Sequence, residues 1–205
     1  MAWAHVLSLS RVVAAIPIAI LITSGSGNAL LWAAVLFAAS SLTDLLDGPL
    51  ARRGQTVGPF GIYLDTTGDK VLVSVVLIAL ASAHLLDAWM AMVIVGREFL
   101  VTGVRTLASI EGKVIPANFA GKVKTTVTLL AITLLLAVAS AREHGSLAPV
   151  GHLSLLWAVS WWAMAAAVAL TVYSGARYIT DARTLFVARE VADNKSVRGV
   201  SGRRG

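Results

Sequence analysis

Asp44, Asp47, Asp65 and Asp69 fall within 26 residues of a chain that is otherwise rich in apolar residues. An ionised carboxylate at the centre of a bilayer helix costs roughly 2.5–3.5 kcal/mol on insertion scales. Four of them need a compensating partner. The simplest is a divalent cation, and hard oxygen ligands with no His or Cys beside them suit Mg²⁺, Mn²⁺ or Ca²⁺ and not zinc. Asp44 and Asp47 are three apart, Asp65 and Asp69 four apart, so each pair shares one face of a helix. Gly48 and Gly61 remove side chains where helices and a ligand must come close, and Pro49 is tolerated at a helix end. Arg52 exceeds what metal holding needs but fits a phosphate oxygen bound alongside. The competing reading is an inert ion network in which Arg52, Arg53 and Lys70 pair with the carboxylates.

The elements that must position these groups are membrane helices. The chain has 205 residues, of which 57% are hydrophobic and only 14% charged, with a mean hydropathy of +0.79. Soluble domains carry about 25% charged residues, so the composition indicates an integral membrane protein. Hydropathy predicts six spans near 9–24, 29–47, 60–83, 87–108, 120–141 and 150–174, each about the 17–25 residues a helix needs to cross the hydrocarbon. Ser24-Gly25-Ser26-Gly27-Asn28 forms the first turn. No small-residue cleavage site follows the first apolar stretch, which reads as a retained helix and not a signal peptide. No cysteine is present, which excludes disulfides and zinc–thiolate sites. The expectation is an all-α polytopic bundle of six transmembrane helices over 1–178, followed by a basic tail over 179–205. The first half of that tail suits a surface helix, and its last ten residues suit disorder.

Charge orients the spans. With six crossings and both termini inside, the outer segments are 24–28, 84–86 and 142–149, and only Arg142 of the 17 Lys and Arg residues lies in them. The positive-inside rule then places the N-terminus, the loop 48–59 and all four aspartates at the cytoplasmic face of the cell membrane. Two pairs on helices joined by a short connection are expected to be antiparallel neighbours facing one cleft. The net charge of +6 is read as topology and attraction to anionic lipid; no nucleic-acid partner is implied.

The aspartates belong to a longer pattern, Asp44-x2-Asp47-Gly48-x2-Ala51-Arg52-x8-Gly61-x3-Asp65-x3-Asp69. It resembles the signature of the CDP-alcohol phosphotransferase family at every fixed position. The resemblance implies a six-helix bundle, a homodimer, and a site open to the cytoplasm. It implies two divalent cations, Mg²⁺ or Mn²⁺, held by Asp44, Asp47, Asp65 and Asp69. Asp69 would also take the proton of the attacking hydroxyl, and Gly48, Ala51, Arg52 and Gly61 would line the CDP site. The donor would be CDP-diacylglycerol, with its tails in membrane lipid and its pyrophosphate at the surface.

The acceptor is addressed by the second half. Arg97, Glu98 and Arg105 lie in the fourth span, Gly121-Lys122-Val123-Lys124-Thr125 opens the fifth, and Arg177 follows the sixth. By topology Arg105, Lys122, Lys124 and Arg177 converge at the inner side, as a phosphorylated alcohol requires. Basic residues at inner helix ends are also ordinary anchors, and Arg97 beside Glu98 suits an ion pair within the bundle as well as a substrate role. The run from Gly96 to Arg105 and the Gly-Lys-x-Lys-Thr stretch are similar to the branch of the family that accepts sn-glycerol 3-phosphate. This similarity, covering about residues 40–135, implies phosphatidylglycerophosphate and CMP as products, with Arg105, Lys122 and Lys124 gripping the acceptor phosphate. Where the family's first helix carries Asn, Thr and Arg at three-residue steps, this chain has His5, Ser8 and Arg11. Arg177 is an added cation that would serve the acceptor phosphate or mark another alcohol.

His84, His144 and His152 fall at the outer side as loop groups, and the tryptophans read as interfacial or packing residues. No arrangement suggests a covalent nucleophile. The alternatives are a synthase of the same family using inositol phosphate or phosphatidylglycerol, and a divalent-metal transporter. A transporter needs acids along a path to the outside, whereas these stop at one face and spans five and six carry none in their interior.

Overall fold

The computed structural model describes residues 2–51, 59–110, 119–144 and 150–201, with side chains described at 10–43, 68, 70–109, 121–143 and 152–180. All regular structure among them is helical: α1 Ala2–Thr23, α2 Gly27–Ala51, α3 Pro59–Ser82, α4 Ala88–Ile110, α5 Phe119–His144 and α6 Val150–Ser201. The helices are where the apolar runs predict them.

Two short turns show how the sequence stops and restarts helices. Gly25, at φ 69°, ends α1 in the left-handed region that glycine enters without steric cost. At the end of α3, His84 takes φ 57°. The Leu85 N–H donates to the Leu80 carbonyl (3.0 Å) and the His84 N–H to the Ala81 carbonyl (3.2 Å), the paired bonds of a left-handed helix cap.

The core is a continuous seam of Ile18, Ile22, Leu30, Phe37, Leu72, Leu77, Leu80, Met90, Ile94, Ile132, Leu135, Leu136 and Met164. Burying side chains of this kind contributes about 1.5–3 kcal/mol each. The outside is equally apolar: Ile20, Met92, Phe99, Leu130, Leu155 and Trp162 are each more than 60% exposed. A water-facing surface does not carry apolar area on every side, and lipid accounts for it. Among the described residues, Gly121–Glu143 and His152–Thr180 are long and apolar enough to cross a membrane; Ser10–Thr23, Gly27–Thr43 and Lys70–Ser82 are shorter apolar stretches.

The helices pack pairwise along the bundle. α1 packs extensively on α3 and also on α2, while α2 packs on α5, α5 on α6, and α4 on α6 and α3. Among the described residues the first helix touches both aspartate-bearing helices. The C-terminal end of α5 is tied to the start of α2, where the buried Ser140 hydroxyl donates to the Gly27 carbonyl at 2.7 Å.

The tail departs from expectation. α6 continues as one helix to Ser201, so 196–201 are helical where disorder is expected.

Candidate active site

Asp44, Asp47, Gly48 and Ala51 occupy the last turns of α2, and Gly61, Asp65 and Asp69 the first half of α3. Both helices are unbroken through these positions, so the three- and four-residue spacings keep each aspartate pair on one helix face. The side chains of these residues, and Arg52 with the whole connection 52–58, lie outside the described residues.

One residue beyond Asp69, the side chains are described. Lys70 Nζ donates to Thr102 Oγ1 at 2.6 Å, joining α3 to α4. Thr102 Oγ1 in turn donates a hydrogen bond to the Glu98 carbonyl at 2.7 Å, so one hydroxyl both accepts and donates. One turn earlier on α4, Glu98 Oε1 accepts from Arg97 Nη1 at 3.1 Å and from Lys124 Nζ of α5. Arg97 Nη2 donates to Ser174 Oγ of α6 at 3.0 Å. Four helices thus meet on one polar network, in which a single described carboxylate stands among three cations. The reason is energetic: taking charges out of water costs several kcal/mol per ion unless partners are supplied.

The network borders a cavity of about 30 Å³ lined by Lys70, Glu98, Lys124, Thr125 and Thr128, large enough to hold water. Of the four predicted acceptor cations, Lys124 is the buried one, 5% exposed. Lys122, two residues earlier and therefore on a different helix face, is exposed. Arg105 lies at the α4–α6 seam, its Nε 3.5 Å from Tyr178 Oη and its guanidinium 5.6 Å from the Tyr178 ring centre. Arg177 is exposed on α6, beside the buried Tyr178. Of these four, Lys124 is the one paired with Glu98 among the described contacts.

Arg97–Glu98, which suited either an ion pair or a substrate role, is an ion pair. Thr102, Ser174 and Gly175 were not singled out from sequence. Helical threonine and serine hydroxyls usually bond their own backbone, so nothing local marks them as partners of cations on other helices.

Across residues 1–173 the chain matches the CDP-alcohol phosphatidyltransferase family, and it belongs to that family. It is accordingly a transferase and an integral membrane protein. Among curated relatives, it is 46% identical over 103 residues to a CDP-diacylglycerol–glycerol-3-phosphate 3-phosphatidyltransferase of Bacillus subtilis, covering 50% of this chain and 53% of the relative. That match spans about half the length of the relative. A probable phosphatidylglycerophosphate synthase of Mycobacterium tuberculosis is 35% identical over 184 residues, 87% of this chain and 80% of its own length. A CDP-diacylglycerol–glycerol-3-phosphate 3-phosphatidyltransferase of Rickettsia bellii is 32% identical over 181 residues, 88% and 94% of the two chains.

Proposed function

We propose that this chain transfers the phosphatidyl group of CDP-diacylglycerol to sn-glycerol 3-phosphate, giving phosphatidylglycerophosphate and CMP in phospholipid synthesis. The observation that carries the proposal is the eight-position signature, seven of whose positions lie on α2 and α3, in a chain whose relatives bear that name. A hydroxyl oxygen of glycerol phosphate forms a bond to the phosphorus that carries diacylglycerol. The bond from that same phosphorus to the bridging pyrophosphate oxygen breaks, and CMP leaves with that oxygen and the electron pair. The hydroxyl proton passes to the Asp69 carboxylate as general base.

The family generally uses divalent metal, and the donor set fits it: four carboxylates on two unbroken helices, with no sulfur or imidazole among them. Asp44, Asp47, Asp65 and Asp69 would hold two cations, Mg²⁺ or Mn²⁺. Bound there, they supply neutralisation of the pyrophosphate and of the departing CMP. Gly48, Ala51, Arg52 and Gly61 line the CDP site. Lys124, with Lys122, Arg105 and Arg177, serves the acceptor phosphate. The bundle crosses the cell membrane six times with both termini and the site cytoplasmic, working as a homodimer. The lipid donor reaches the cleft from the bilayer and the acceptor from water.

The test is purified protein in mixed micelles of CDP-diacylglycerol with Mg²⁺, offered sn-glycerol 3-phosphate, inositol phosphate, free inositol or phosphatidylglycerol, with CMP measured. CMP release with glycerol 3-phosphate alone is expected. Turnover with inositol phosphate in its place would overturn the acceptor, and no CMP with any alcohol would overturn the transfer itself.

A further inference from the structure

Glu98 is the carboxylate on which two cations from two helices close. Lys124 is a compact charge on a flexible four-carbon stem, and in a buried setting it needs a fixed anion to hold one geometry. Glu98 Oε1 supplies it. What keeps Glu98 itself in place is Arg97, which holds the same oxygen at 3.1 Å and is braced from behind. Its other amino group donates to Ser174 Oγ at 3.0 Å, and that hydroxyl donates to the Thr171 carbonyl at 3.2 Å. Its aliphatic stem lies over Gly175, where a Cβ would stand 3.0 Å from Arg97 Cγ and 3.4 Å from Nε. α6 thus offers a flat seat for Arg97, Arg97 backs Glu98, and Glu98 aims Lys124. Lys124 and Glu98 also line the same water-sized cavity, so the lysine faces open space as well as its partner.

We propose that Glu98 is a positioning residue for the acceptor site: its carboxylate, held by Arg97 on the Ser174–Gly175 seat, fixes Lys124 where the phosphate of the acceptor alcohol binds. The inference rests on the acceptor role given to Lys124 above. It concerns orientation, since Glu98 touches Lys124 and not the substrate. A purely structural ion pair would instead stabilise the bundle and leave the two substrates equally affected.

The experiment measures KM for glycerol 3-phosphate and for CDP-diacylglycerol in Glu98→Gln, Lys124→Ala and the double variant. The rise in thermal midpoint on adding glycerol 3-phosphate gives a reading without turnover. Glu98→Gln keeps the shape and removes the charge. It is expected to raise the acceptor KM about tenfold, in the range that coupled neighbours show, with the liponucleotide KM unchanged. In the Lys124→Ala background it should add nothing further. Glu98→Asp should recover part of the loss. Equal changes in both KM values, or effects that multiply in the double variant, would overturn the inference. If Lys124→Ala leaves the acceptor KM unchanged, the acceptor role of Lys124 falls and takes this inference with it. If Lys124→Ala raises that KM and Glu98→Gln does not, only the role of Glu98 falls. Should Glu98→Gln fail to fold, Gly175→Ala displaces Arg97 alone: a smaller rise confined to the acceptor supports the chain of contacts, and no rise refutes it.

Discussion

Gly175→Ala and Gly103→Ala make the same chemical change in two helices and should move stability in opposite directions. Alanine is favoured over glycine inside a helix by about 0.5–1 kcal/mol. At Gly103 an added Cβ meets nothing within 4 Å, so that gain stands alone. At Gly175 the methyl group arrives 3.0 Å from Arg97 Cγ, closer than nearly all such contacts, and the arginine must shift by a few tenths of an ångström away from α6. That shift breaks the bond to Ser174, and a hydrogen bond from a charged donor contributes about 1.5–3 kcal/mol. The loss exceeds the propensity gain and leaves Gly175→Ala less stable by about 1–2 kcal/mol. For a chain of this size each kcal/mol shifts the thermal midpoint by about 2–4 °C. The expected outcome is a fall of about 3–6 °C for Gly175→Ala and a rise of about 2–3 °C for Gly103→Ala. The chain lacks cysteine and has six tryptophans, so intrinsic fluorescence of detergent-solubilised protein is the suitable readout. Equal rises for both variants would show that Arg97 yields without losing Ser174, and would refute the reasoning.

Asp69→Asn should abolish CMP release while leaving far-UV circular dichroism unchanged; retained turnover would remove its role as base. Lys122→Ala, at an exposed position, should raise the KM for glycerol phosphate with no change in thermal midpoint, and a matching rise for CDP-diacylglycerol would move it out of the acceptor site. His84→Gly should raise the midpoint, because the left-handed cap costs a non-glycine residue about 1–2 kcal/mol; a lower midpoint would mean the imidazole makes contacts that outweigh the strain.

The helices were legible because apolar runs of membrane length end at residues with turn chemistry, as at Ser24-Gly25-Ser26. The end of α6 was not, since hydropathy falls near Tyr178 while backbone hydrogen bonding continues to Ser201. The aspartate spacing reads directly as two same-face pairs, because the helical period is local information. The neighbours of those helices are not local information, and the packing of α1 on both α2 and α3 is written in no spacing along the chain. Glu98 and Lys124 are 26 residues apart, and no pattern in either helix announces that they meet. The same holds for Lys70 with Thr102 and for Arg97 with Ser174. Sequence supplied the charged groups, and packing chose their partners.

The central claim is that the carboxylates at the ends of α2 and α3 form one divalent-metal centre for pyrophosphate cleavage. The most direct measurement is Mn²⁺ bound per chain, counted by paramagnetic resonance on metal-stripped protein, for the unaltered chain and for the variant with Asp44, Asp47, Asp65 and Asp69 all changed to Asn. Two ions that vanish together in the variant are predicted. Unchanged Mn²⁺ binding by the variant would contradict the account.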